Sequence, residues 1–420
     1  MSPSTEFKNP YRPGAGHMPP HLAGREREYA EFDRLLGQDE ILENLVLTGL
    51  RGVGKTVLLE TFKPRAAQHG WQWASADLSE SASISETTLA ERLLADLALI
   101  TSSTTVTTTD PSQPVGFGVA GEQREVPLSH DMLAAVFAST PGLVSDKIRT
   151  TLEFAWEHLR QQGDQKVIFA YDEAQNLTDH ASKDQFPLSV LLDVFQSIQK
   201  KGIPFMLVLA GLPTLFPKLV DARTFAERMF RVMTLTKLSE NESREAIVKP
   251  IEMAECPVNL TPDSVDVIIH ESAGYPYFIQ FICREVYDVF IRQHADEEAK
   301  SVPIEAIQHK LDADFFAGRW AKITDRQREL LWAVAHLEHA DEEFTISELT
   351  EKTKILLSKG FSPSNANQML ASLAERGMIY KNRFGRYSFA VPLLGRFIRR
   401  TYELPDGSQS PNLRPCEPLA

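Results

Sequence analysis

Asn44-Leu45-Val46-Leu47-Thr48-Gly49-Leu50-Arg51-Gly52-Val53-Gly54-Lys55-Thr56-Val57 is the stretch whose reading decides the fold. A short apolar run at 45–47 enters a glycine-bearing loop, and a helical pattern leaves it at Lys55. Residues 49–56 match G-x-x-x-x-G-K-[ST] at every position. In a strand–loop–helix setting the loop's main-chain N–H groups converge on phosphate oxygens at a helix N-terminus, where the helix dipole favours anions. Gly49, Arg51, Gly52, Val53, Gly54 and Val57 are therefore expected around a bound phosphate chain. Lys55 is expected to reach the outer phosphates, and the Thr56 hydroxyl to hold Mg²⁺.

Downstream, Val167-Ile168-Phe169-Ala170-Tyr171-Asp172-Glu173 reads as a buried strand ending in two carboxylates. Such a strand end faces the crevice where parallel sheets bind ligands. Asp172 is expected to orient the Mg²⁺ shell, and Glu173 to polarise the attacking water. Loop and acidic pair together imply ATP as cofactor, ADP as product and a Mg²⁺-dependent ATPase.

Outward from these motifs, helical periodicity at 26–36, 55–69, 85–100, 144–162 and 188–200 alternates with apolar runs at 71–76, 166–171 and 205–210. Short apolar strands separated by helices predict an α/β fold with a parallel sheet covered on both faces. Residues 101–130, rich in Thr, Gly and Pro, read as a hairpin or a mobile insertion. Five segments follow from composition and pattern: a Pro/Gly-rich 1–21, an α/β core at 22–238, an all-helical 239–322, a further unit at 323–403 and a disordered tail at 404–420.

Bulk composition narrows the class. The formal charge of −13 argues against a protein that coats itself in nucleic acid, though one basic face remains compatible with it. Three widely separated cysteines suggest neither a disulfide framework nor a zinc site. The longest apolar stretch, 205–212, is too short to span a bilayer, so no membrane association and a cytoplasmic location are expected.

At this point the residues resemble a known family, the AAA+ P-loop ATPases of the branch holding origin-recognition initiators, transposition regulators and STAND signalling ATPases. Leu22-Ala23-Gly24-Arg25-Glu26 is similar to the G-R-E box that contacts adenine in that branch. The P-loop and Asp172-Glu173 are the second and third shared features, and Ala273-Gly274-Tyr275-Pro276 is similar to its lid motif. The resemblance implies nucleotide contacts from Gly24, Arg25, Tyr275 and Pro276. It also implies an arginine finger at Arg228, with Arg231 in reserve, acting on a neighbouring copy in a homo-oligomer. One departure stands out: the strand at 205–210 ends in Gly211-Leu212-Pro213-Thr214, where most AAA+ proteins place a polar sensor residue.

The last unit reads as three helices and a hairpin, an order that looks like a winged helix. Thr324-Asp325-Arg326-Gln327 and Thr345-Ile346-Ser347-Glu348 match capping boxes, and Ser362-Pro363 reads as an N-cap with proline at the first helical position. The third helix has an apolar face of Ala366, Leu370 and Leu373, opposite Ser364, Asn367, Gln368 and Ser372, types able to read base edges. From 361 to 403 the cations are Arg376, Lys381, Arg383, Arg386, Arg396, Arg399 and Arg400, against Glu375 and Glu403. Asn367, Gln368, Lys381, Arg383 and Arg386 are thus the candidate contacts to double-stranded DNA. The expected function is an ATP-driven switch acting on DNA. A STAND-like signalling or scaffold ATPase whose winged helix docks protein, or a nucleotide-sensing transcription regulator, are the alternatives.

Overall fold

Three strands are apolar along almost their whole length, and all three are buried: β1 (Asn44–Gly49), β5 (Lys166–Asp172) and β6 (Phe205–Gly211). Successive strand residues point to opposite faces. In β5 both sets, Val167 and Phe169 on one side and Ile168 and Ala170 on the other, are fully buried, so both faces of the sheet are covered. The computed structural model describes residues 8–14, 16–109, 123–163, 165–255, 260–293, 302–340, 342–382, 385–403 and 414–415. They fall into two compact units: Glu26–Thr48 with Lys55–Thr234, and the residues before Glu26 with Gly49–Gly54 and those from Leu235 onward.

The first unit runs α1 (Glu26–Leu36), β1, α2 (Lys55–Gln68), β2 (Trp71–Asp77), α3 (Glu86–Thr101), β3 (Thr105–Thr109), β4 (Gln123–Pro127), α4 (His130–Ser139), α5 (Val144–Leu159), β5, α6 (Pro187–Gln199), β6, α7 (Leu215–Ala222), α8 (Ala226–Met229) and β7 (Phe230–Leu235). Its sheet has the order β2-β5-β6-β1-β7. The pairs β2–β5, β5–β6 and β1–β6 are parallel, as the alternating pattern predicts. On one side Leu93, Leu152 and Phe195 join Phe169 and Phe205 in an apolar core. Elsewhere Phe32 of α1 stacks on Phe62 of α2 with ring centroids 4.0 Å apart. The insertion is a hairpin, β3 pairing antiparallel with β4; its expected tip, 110–122, lies outside the described residues.

Beneath β5, Asp96 of α3 is fully buried. Its Oδ2 accepts the Tyr171 hydroxyl at 2.9 Å and Arg92 Nε at 3.0 Å. Burial and the neighbouring carboxylate push the Tyr171 hydroxyl well above its usual pKa. Asp96→Ala strands that hydroxyl without its acceptor, so an unfolding free-energy loss of about 2–3 kcal/mol is expected. Urea titration of the full chain measures it, and a loss below about 0.5 kcal/mol would contradict the assignment.

The second unit is helical: α9 (Glu240–Met253), α10 (Pro262–Ser272), α11 (Pro276–Gln293), α12 (Ile304–Leu311), a π-helical stretch Asp312–Ala317, α13 (Gly318–Trp320), α14 (Asp325–Ala335), α15 (Ile346–Leu356) and α16 (Pro363–Glu375). The hairpin β8 (Ile379–Lys381) and β9 (Tyr387–Phe389) and then α17 (Leu394–Thr401) follow. Capping boxes at Ser239, Thr324 and Thr345 open α9, α14 and α15, and Ser362 caps α16. Phe344, ahead of α15, exchanges two main-chain hydrogen bonds with Tyr387 of β9, at 2.7 and 2.8 Å. One apolar cluster runs through the whole unit, with Phe316 stacked on Phe397 at 5.1 Å. Cys283 is buried, which pushes its thiol pKa up; Cys256, Cys416 and most of the C-terminal tail lie outside the described residues. No helix among the described residues is long and apolar enough to cross a membrane.

Candidate active site

Within the first unit, the parallel pairing of β2 with β5 brings the chain to Asp172, a residue only 4% exposed. The Thr56 hydroxyl, in the first turn of α2, donates to Asp172 Oδ2 at 2.5 Å. Lys55 opens the same helix and is 9% exposed. Two residues 116 apart in sequence thus meet where the motif reading places one magnesium shell.

Glu173 follows directly. Its N–H donates to Asp172 Oδ1 at 2.7 Å, and its backbone is left-handed, with φ +51°. That conformation costs a non-glycine residue on the order of 1 kcal/mol, and such strain concentrates at functional sites. The Glu173 side chain is half-buried, and Gln175 Nε2 donates to its Oε2. Gln175 escaped the sequence reading, because nothing local marks a glutamine two residues past the acidic pair.

At the end of β6, Thr214 precedes α7 and makes no side-chain cap. The N–H of Leu212 instead donates to Gln175 Oε1 at 3.0 Å. Arg228, on the short α8, is exposed, with no side-chain partner among the described residues. Arg231 of β7, the reserve candidate, is paired with Glu31 at 2.6 Å.

Within the second unit, Gly52 and Gly54 take φ of +78° and +93°, a region open to glycine and strained for other residues. Arg25 is buried, and its guanidinium donates to the carbonyls of Val53 at 3.0 Å and Thr236 at 3.5 Å. Its head group braces the loop main chain. Gly24 is packed so that a Cβ would lie 2.5 Å from Glu242 Oε1.

The Gly274-Tyr275-Pro276 segment opens α11, with Gly274 accepting from the Leu238 N–H at 2.8 Å. The contact to the loop comes one residue later than the motif: the Tyr277 N–H donates to Gly52 O at 3.1 Å. The first turn of a helix has N–H groups without intrahelical acceptors, and this one is met by the loop. Arg319 of α13, which the sequence reading did not single out, lies over the Phe315 ring with its guanidinium 4.4 Å from the centroid. Burial, and then the positive charge of Arg51, lower its pKa. Arg51 in turn packs by Gly377, where a Cβ would lie 3.4 Å from Arg51 Nη2.

The basic stretch of the C-terminal segment is mostly spoken for. Arg376 donates to Lys322 O at 2.7 Å, Arg396 to His270 O at 2.7 Å and Arg399 to Ala335 O, while Arg400 forks onto Asp312 at 2.5 and 3.2 Å. Of these four, Arg400 alone meets a carboxylate among the described residues; the other three keep their charge beside main-chain carbonyls. On the hairpin Lys381 sits over the Tyr387 ring at 5.4 Å and Arg386 is exposed; Arg383 lies outside the described residues. On α16, Gln368 is exposed, but Asn367 Oδ1 accepts the Tyr387 hydroxyl at 2.8 Å and Ser372 accepts from Gln327 at 3.2 Å.

With this geometry in view, the AAA ATPase domain family matches residues 21–220. A domain of unknown function (DUF8462) matches residues 313–398. No curated protein matches the chain. Among solved structures, the Walker-type ATPase PABY2304 of Pyrococcus abyssi is 15% identical and superposes with a TM-score of 0.54, covering 90% of this chain and 96% of that one. The Aeropyrum pernix ORC2 protein, solved in ADPNP–ADP complexes, is 12% identical with a TM-score of 0.52, covering 92% and 95%. At these identities the likeness is one of fold.

Proposed function

We propose, for a chain that is an AAA+ P-loop ATPase with its AAA ATPase domain over residues 21–220, that ATP hydrolysis switches a C-terminal winged helix on and off duplex DNA. The reading divides the chain into a core at 22–238, a lid at 239–322 and a winged helix at 323–403. The observation that carries the hydrolytic half is the 2.5 Å contact between the Thr56 hydroxyl and the Asp172 carboxylate.

That donor set fits magnesium. One hydroxyl and one carboxylate oxygen suit an ion that keeps several waters and takes its other ligands from phosphate. When bound, the ion draws charge from the phosphoryl oxygens. Thr56 and Asp172 would hold it, and Lys55 would neutralise the outer phosphates. Glu173 orients a water in line with the γ-phosphorus and accepts its proton; the bond to the bridging oxygen breaks, releasing ADP and phosphate. Arg228, exposed and with no side-chain partner among the described residues, is the residue offered to a neighbouring copy.

Coupling to the C-terminal segment rests on contacts inside the second unit. Tyr277 holds the loop at Gly52, and Arg51 reaches the turn at Gly377 between α16 and β8. A phosphate chain seated on the loop therefore bears on the helix proposed to meet DNA. For DNA itself, Gln368 is the remaining base-reading candidate, with Asn367 shared with Tyr387, and Lys381, Arg383 and Arg386 contact phosphates.

Titrating the full chain with a fluorescent duplex, with and without ATP, tests this reading. Three phosphate contacts at about −0.9 each predict a slope near −3 in log affinity against log salt. Replacing Lys381 and Arg386 by Gln should take about two units from that slope. No binding at low salt removes the DNA half. It leaves a protein-docking winged helix, the reading favoured by the internal engagement of Arg376, Arg396, Arg399 and Arg400.

A further inference from the structure

We propose that Gln175 is a positioning residue for hydrolysis, its side-chain amide clamping the Glu173 carboxylate to the end of β6. The inference rests on the reading of Glu173 as the group that activates water. Gln175 lies in the 3-10 turn Ala174–Asn176 that directly follows β5. Its Oε1 accepts the Leu212 N–H at 3.0 Å, and its Nε2 donates to Glu173 Oε2.

Chemistry fixes which way the amide points. A main-chain N–H only donates and an ionised carboxylate only accepts, so a flipped amide would set donor against donor and acceptor against acceptor. The main chain of the same residue is tied to the same region, since the Gln175 carbonyl accepts Lys218 Nζ of α7 at 2.6 Å. Burial lowers the pKa of that lysine. Both ends of Gln175 are therefore anchored to the segment after β6.

Gly211 makes the arrangement possible. A Cβ at this last residue of β6 would lie 2.6 Å from Gln175 Oε1 and 3.3 Å from its main-chain nitrogen. The strand that ends without a polar side chain thus still communicates with the acidic pair. It does so through a main-chain N–H, with Gln175 as intermediary. The clamp also meets the geometry that the left-handed Glu173 backbone creates, by giving its side chain one fixed donor. A displacement of the β6 end is passed to the carboxylate through one rigid amide.

The test uses the full-length protein, Gln175→Ala, Gln175→Glu and Glu173→Gln, with a fluorescent ATP analogue for affinity and phosphate release for turnover. Gln175→Ala is expected to lower kcat by about 10-fold or more, with analogue affinity within about 2-fold of wild type. Gln175→Glu sets a second carboxylate against Glu173 and should move the acidic limb of the kcat–pH profile up by about one unit. A merely structural glutamine would leave kcat and analogue affinity of the folded variant unmoved. Should Gln175→Ala fail to fold, the near-isosteric Gln175→Glu, which also lacks the amide donor, is read for the same kcat loss at kept affinity, and a kcat within about 2-fold of wild type overturns the clamp. An unmoved limb, or a kcat for folded Gln175→Ala within about 2-fold of wild type, overturns the clamp while an inactive Glu173→Gln leaves the parent reading standing. Turnover by Glu173→Gln within about 10-fold of wild type overturns the parent reading and the clamp with it.

Discussion

Glu173→Gln is expected to lower ATP turnover by about 10²–10⁴-fold while leaving ATP affinity near that of the wild type. The amide keeps the size of the side chain but cannot accept a proton from water at neutral pH. Affinity should be spared because the Thr56–Asp172 pair, which belongs to the magnesium assignment, does not involve Glu173's side chain. The Glu173 N–H that donates to Asp172 is main chain and survives the substitution. Equilibrium binding and phosphate release on the same preparation check both halves. Turnover within about 10-fold of wild type would show that another group handles the proton.

Lys55→Ala is expected to act on binding. Lys55 is 9% exposed at the first position of α2, and its ammonium is the cation the motif places against the outer phosphates. Losing a partly buried charge contact of this kind costs about 2–5 kcal/mol, or about 30- to 5,000-fold in affinity. Calorimetric titration with ATP and Mg²⁺ measures it. A loss smaller than about 5-fold would place the phosphates elsewhere. The contrast between the two variants matters as much as either result: one loses chemistry with binding kept, the other loses binding.

What the sequence showed and what it hid differ in range. The capping boxes at Ser239, Thr324 and Thr345 were legible because donor and acceptor lie within three residues of each other. The P-loop and the end of β5 were legible because each is a contiguous pattern with its own backbone demand. Gln175 was hidden because its meaning comes from Leu212, 37 residues on, and from the absence of a side chain at Gly211.

Charge counting has the same short range. Arg400 finds Asp312 88 residues back and Arg396 finds the His270 carbonyl 126 residues back, partners that a count along 376–400 does not include. Arg25 illustrates a third case. Its guanidinium donates to the carbonyls of Val53 and Thr236, 28 and 211 residues away, which no local pattern reaches. The apolar continuity of the second unit also escaped a local reading, since Phe316 and Phe397 stack across 81 positions.

The central claim is that residues 49–56, Asp172 and Glu173 form a magnesium-dependent ATPase. Phosphate release from ATP by the full-length protein, measured with Mg²⁺ and again with the metal chelated, tests it most directly. The account predicts turnover with Mg²⁺, its loss on chelation and its return when Mg²⁺ is restored. Turnover that is indifferent to chelation, or ATP binding with no phosphate release in Mg²⁺, would contradict it.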